Sequence, residues 1–117
     1  MTPAVGTETL QFDFPGERRP LPFEPVLVGV VGSGNLEILI EPAETAGCRI
    51  TLDTSARGFG AIWAAVLGDF QQRHRLAGVA LAMNDMGATP AVVSLRLDQA
   101  VAHLRWPAAA AAVGEGE

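Results

Sequence analysis

The chain has 117 residues with 8 Arg, no Lys and 13 Asp plus Glu, a formal net charge of −5. An acidic chain without Lys is poorly suited to contacting nucleic-acid phosphate or an anionic membrane, so neither is an expected partner. Apolar residues make up 49% and charged residues 18%, a balance that argues against disorder and for one cored domain. Cys48 is the lone cysteine, so neither an internal disulfide nor a cysteine-built zinc site is available. It reads as a small hydrophobe in a strand. The first ten residues hold no basic region and no apolar run of signal length, and no apolar stretch reaches the length of a membrane span. The expected location is the cytoplasm.

Leu10, Phe12 and Phe14 alternate with Gln11 and Asp13, which predicts a half-buried strand. Residues 15–25 hold four of the eight prolines and read as a loop without regular backbone bonding. Residues 25–31, PVLVGVV, form a short apolar β-rich run that Gly32-Ser33-Gly34-Asn35 breaks. Leu36, Ile38 and Ile40 then alternate with Glu37, Leu39 and Glu41, and after a turn at 42–47 so do Cys48, Ile50 and Leu52 with Arg49, Thr51 and Asp53. These are two further strands.

The period changes after Ser55. Phe59, Ile62, Trp63, Val66, Leu67 and Phe70 recur at spacings of three and four, predicting a helix over about 57–75 with Asp53, Thr54 or Ser55 as cap. Arg73 and Arg75 suit its C-terminal end, and Gly78 its termination. Val79, Leu81 and Met83 predict a strand, 84–90 a turn-rich loop, and Val93, Leu95 and Leu97 a last strand. Asp98 is placed as the cap of a second helix that runs until Pro107. The tail from 107 to 117 is Ala- and Gly-rich and reads as frayed, outside a domain of residues 1–106. The fold class is α+β: an antiparallel or mixed sheet of five to six strands with two helices on one face.

The sharpest chemical feature is Ser33 between Gly32 and Gly34. Glycine flanks leave the hydroxyl open and the backbone free to turn, although an ordinary hairpin loop has the same composition. A dinucleotide-binding reading fails because Glu37 holds the third Gly position and a strand follows instead of a helix. The G-x-S-x-G nucleophile elbow fails at Val31 and Asn35. A serine hydrolase would need His74 or His103 as base. No His, Asp and Glu spacing indicates a metal site. A small ligand-binding or scaffolding protein remains open as a third class.

The segment 31–42, VGSGNLEILIEP, is similar to the carrier motif of the malonate decarboxylase acyl carrier family, the delta subunit. The segment 85–100, DMGATPAVVSLRLDQA, resembles that family's C-terminal signature, and Trp63 lies in a helix where the family has one. The similarity covers about residues 8–106, and the second signature favours this family over the related citrate lyase carrier. Asn35 stands where Asp is expected, and Ala91 where Gly is usual. The resemblance implies a non-catalytic carrier. Ser33 would bear a 2'-(5''-phosphoribosyl)-3'-dephospho-CoA group through a phosphodiester, with Gly32 and Gly34 giving access. The arm's thiol would hold acetyl and then malonyl. Implied partners are a prosthetic-group transferase, a malonyl transferase, the acyltransferase subunit and the carboxy-lyase beta and gamma subunits. Asn35, Glu37 and Glu41 are candidate partner contacts, with the 84–90 loop as a second such surface.

Overall fold

The computed structural model describes residues 7–29 and 36–107. Five strands and two helices follow in the order β1 (Glu8–Phe14), β2 (Val26–Val28), β3 (Leu36–Pro42), β4 (Cys48–Thr54), α1 (Gly60–His74), β5 (Val79–Asp85) and α2 (Pro90–Ala102). They build one sheet in the order β1-β4-β5-β3-β2. Only β4 and β5 are parallel, and α1 is the crossover that a parallel pair requires. The sheet is thus mixed, as expected of an α+β fold.

Period-two alternation decides which face is buried. Leu36, Ile38 and Ile40 of β3, Ile50 and Leu52 of β4, and Leu81 and Met83 of β5 point into one core with Trp63, Leu67 and Phe70 of α1 and Val93, Leu97 and Val101 of α2. Cys48 lies in the same layer, and burial, with the charge of Asp13 adding to it, pushes its thiol up to about 12. Both helices therefore cover the same face, and Glu37, Arg49, Asp53 and Asn84 stand on the open one.

The expected strand at 93–97 is instead the body of α2. Val93 and Leu97 are buried, but Leu95, their alternate, is 56% exposed. The buried set Val93, Leu97, Ala100, Val101 and Leu104 has helical spacing, which the same residues satisfy as well as they satisfy alternation over five positions. The start is set locally: the Thr89 hydroxyl accepts from the Val92 N–H at 3.3 Å, and Pro90 fills the first turn. Asp98 is consequently not a cap. It lies in the middle of α2 and accepts from Arg73 at 3.1 Å and pairs with His74 at 2.9 Å. Burial opposes its ionisation, but these two hydrogen bonds and the charges behind them outweigh it and hold the carboxyl below the usual range.

Helix α1 begins at Gly60, later than the spacing suggests, and Phe59 caps it with no side-chain bond. Asp53, Thr54 and Ser55 are not its cap: Asp53 accepts from the Thr9 hydroxyl at 2.6 Å, and the Thr54 hydroxyl accepts from the Ala56 N–H at 3.0 Å. The helix ends at Arg75 in the left-handed region (φ 53°), ahead of Gly78.

The proline-rich segment is more firmly held than its composition suggests. The N–H groups of Glu17 and Arg18 donate to the Arg75 carbonyl at 2.9 and 2.8 Å, and Ala77 N–H returns a bond to Arg18 at 2.9 Å. Buried Gln71 is the fastener. Its amide nitrogen donates to the carbonyls of Pro15 (2.9 Å) and Leu76 (2.8 Å), and its oxygen accepts from Leu76 N–H (3.0 Å). Truncation would leave backbone groups of Leu76 unsatisfied in the interior. Gln71→Ala is expected to cost about 1–3 kcal/mol, read as a lowered midpoint in urea with an unchanged slope.

Candidate functional site

Gly32, Ser33, Gly34 and Asn35 lie outside the described residues, but the structure fixes both ends of the segment that contains them. Residues 30–35 join Gly29, just past β2, to Leu36, the first residue of β3. Gly29 has φ +78°, and a Cβ there would run into the Leu36 carbonyl oxygen and come within 2.9 Å of the Arg96 side chain. Only glycine fits such a position. Arg96, from α2, thus packs against the base of the serine segment.

Leu36 pairs with Asp85, the last residue of β5, and Asp85 pairs in parallel register with Thr54, the last residue of β4. Three strand ends therefore meet where the serine segment leaves the sheet. Asp85 is buried. Its carboxylate accepts from the Thr54 hydroxyl at 2.8 Å and from the Ala88 N–H at 2.9 Å, and its carbonyl accepts from Ser55 N–H at 3.0 Å.

Beside this junction a cavity of about 270 Å³ opens between the first turns of the two helices. Phe59, Ile62, Trp63 and Val66 line it from the α1 side and Pro90 and Val93 from α2, with Asp85 in its wall. Phe59 and Ile62, both on the apolar stripe of α1, are 48% and 50% exposed, and Met86 nearby is 73% exposed. Sequence reasoning missed this cavity because it takes 93–97 as a strand and so removes the α2 wall. The signal was Thr89-Pro90, a helix start.

The remaining candidates fall as follows. Glu37 stands on the open face one residue beyond Leu36 and accepts from the Asn84 amide at 3.3 Å. Glu41 is four residues further along β3, about 13 Å away. Of the 84–90 loop, Asn84 and Asp85 belong to β5 and Pro90 to α2. His74 and His103 sit at the C-terminal ends of α1 and α2, the opposite end of the sheet from the serine segment, and His74 is engaged with Asp98. The hydrolase arrangement is therefore not assembled by the described residues. Nor do they hold a cluster of three or more groups that could bind a metal, or a helix long and apolar enough to cross a membrane.

Comparison with known proteins gives this arrangement its class, an acyl carrier. The profile of the family described as malonate decarboxylase delta subunit (MdcD) matches residues 24–104. The malonate decarboxylase acyl carrier protein of Burkholderia cepacia is 64% identical over 100 residues, covering 86% of this chain and 93% of that one. Those of Stenotrophomonas maltophilia (strain K279a) and Acinetobacter calcoaceticus are 56% and 50% identical, each over 80% of this chain and 91% and 93% of theirs. A chain in the crystal structure of a Pseudomonas malonate decarboxylase hetero-tetramer in complex with malonate superposes with a TM-score of 0.73 at 36% identity, covering 82% of this chain and 97% of that one. The chain belongs to the malonate decarboxylase acyl carrier family.

Cys48 takes no part in this site. A buried thiol raised to about 12 is almost wholly protonated at neutral pH and therefore a poor nucleophile. Iodoacetamide at pH 7.5 is expected to leave Cys48 unmodified in the folded chain and to modify it in urea, measured by intact mass.

Proposed function

We propose that this chain is the non-catalytic acyl carrier subunit of a malonate decarboxylase, with residues 1–106 as the carrier domain and the Ser33 hydroxyl as the point of attachment for 2'-(5''-phosphoribosyl)-3'-dephospho-CoA. The single observation that carries the assignment is the Gly32-Ser33-Gly34 motif, in the segment that runs into β3, in a chain of this family. When attached, the group supplies a thiol on which acetyl and then malonyl are held as thioesters.

The residues around the segment fit such a group. Its phosphodiester is anionic, and Arg96 is the cation packed against the base of the segment. Its distal end is slender and largely uncharged, and the apolar cavity opens at the same end of the sheet. Loading asks little of the chain itself. The Ser33 oxygen forms the new bond to phosphorus, the donor's leaving group departs, and the hydroxyl proton passes to the transferase. An activated serine is unnecessary, which accords with histidines held at the opposite end. Glycine flanks give the transferase access. Asn35 and Glu37, and less directly Glu41, offer polar contacts to partners. Those partners would be the acyltransferase that exchanges acetyl for malonyl, the malonyl transferase that supplies it, and the beta and gamma carboxy-lyase subunits that release carbon dioxide in the cytoplasm. A tethered acyl group raises its own concentration at each of these sites.

Co-expression with the prosthetic-group synthase and transferase should add the mass of the arm to the chain, and Ser33→Ala should abolish the addition. An adduct that survives Ser33→Ala overturns the assignment. Arg96→Ala is expected to slow loading on the order of tenfold at saturating transferase, the effect of losing one charge-assisted contact, while Arg96→Lys retains most of the rate. Initial rates by intact mass decide between them.

A further inference from the structure

The cavity between the helix starts has no part in attachment at Ser33, yet it lies within reach of it. Ser33 is three residues before Leu36, and Leu36 is paired to Asp85 in the cavity wall. Chain length and strand spacing together keep the Ser33 backbone within about 16 Å of Asp85. Phosphoribose, nucleoside, diphosphate and pantetheine in series exceed that span, so the thiol end can fold back. What it meets is apolar: Phe59, Ile62, Trp63 and Val66 face Pro90 and Val93. A volume of about 270 Å³ suits a small acyl group with the adjoining part of the arm. The one charged group in the lining, Asp85, already accepts bonds from Thr54 and Ala88. It offers an incoming ligand no hydrogen-bond donor.

Resting on the carrier assignment above, we propose that this cavity is a docking site for the acetyl-loaded end of the chain's own prosthetic arm, and that it rejects the malonyl-loaded end. Acetyl presents a methyl and a neutral thioester, which gain from leaving water. Malonyl carries a carboxylate that would lose its hydration in a mostly apolar slot, next to the like charge of Asp85. The carrier thus shelters the acetyl thioester between cycles and leaves the malonyl thioester extended for the partner that decarboxylates it. No bond is made or broken in the docking itself.

The test is cleavage of the arm's thioester by hydroxylamine, followed by intact mass on the isolated loaded carrier, each rate divided by that of the same acyl group on free coenzyme A. Acetyl should be cleaved about tenfold more slowly on the carrier than on coenzyme A, the factor expected from burying a few apolar groups. Malonyl should be cleaved at nearly the free rate. Ile62→Arg and Phe59→Arg, both at half-exposed rim positions where folding is little affected, should each remove the acetyl protection without altering the malonyl rate. Equal ratios for the two acyl groups overturn the proposal. So does acetyl protection that survives both rim variants, including the case where these variants weaken binding of the acyltransferase and the face proves to be a protein interface. Absence of arm mass on Ser33 would sink the carrier assignment, and the docking proposal with it; an intact arm without selective protection sinks the docking proposal alone.

Discussion

The buried carboxylate of Asp85 is the constraint on which the end of the molecule that carries the serine segment depends. Its backbone is paired on one side with Thr54 and on the other with Leu36, and its side chain ties Thr54 to the turn at Ala88. A buried carboxylate is tolerated only when its oxygens are bonded, and both are. In satisfying itself, Asp85 fixes three things together: the end of β4 that leads into α1, the turn that leads into α2, and the first residue of β3 that follows the serine segment. Position at this site is set by a hydrogen-bond network in the core, not by the segment's own composition.

The helices divide the molecule into two ends with different jobs. At the C-terminal ends of α1 and α2, ordering is dense. Gln71 locks Leu76 to Pro15, Arg73 and His74 pair with Asp98, and Arg18 lies 4.0 Å above the Trp106 ring. At the other end, where α1 starts without a side-chain cap, large apolar side chains remain half exposed around a cavity. Around this cavity the molecule keeps an open apolar surface that a uniformly packed domain of this size would bury.

What was legible in the sequence follows from which signals are local. Leu10-Phe12-Phe14, Leu36-Ile38-Ile40 and Cys48-Ile50-Leu52 are strands, and in each the middle apolar residue shares the inward face. Between Val93 and Leu97 the same spacing is helical, since positions i and i+4 satisfy both periods. The hydroxyl of Thr89 and the ring of Pro90 decide for the helix, and Leu95 is turned to solvent. Phe59 and Ile62 share the apolar face of α1 with Trp63 yet stay half exposed, because helical spacing records which residues share a face and not how far along the helix that face is covered. The bonds that hold the proline-rich segment join residues 15–18 to 71–77, a separation at which composition carries no information. The serine site was recognisable only as a motif, and the cavity beside it only once α2 was in place.

The acidic balance acquires a meaning that composition alone did not supply. Arginine is the sole side-chain cation other than histidine, and three of the eight are tied up in ion pairs: Arg49 with Asp13, Arg75 with Glu17, and Arg73 with both Asp69 and Asp98. Arg96 differs by its place at the base of the serine segment. A chain with a surplus of carboxylates repels free anions from most of its surface, so one arginine at the base of the serine segment provides a local contrast that a generally basic protein could not. Under the proposed attachment at Ser33, a single favourable contact for an anionic arm serves better than a broadly attractive surface, because every extra attraction would have to be broken at each transfer.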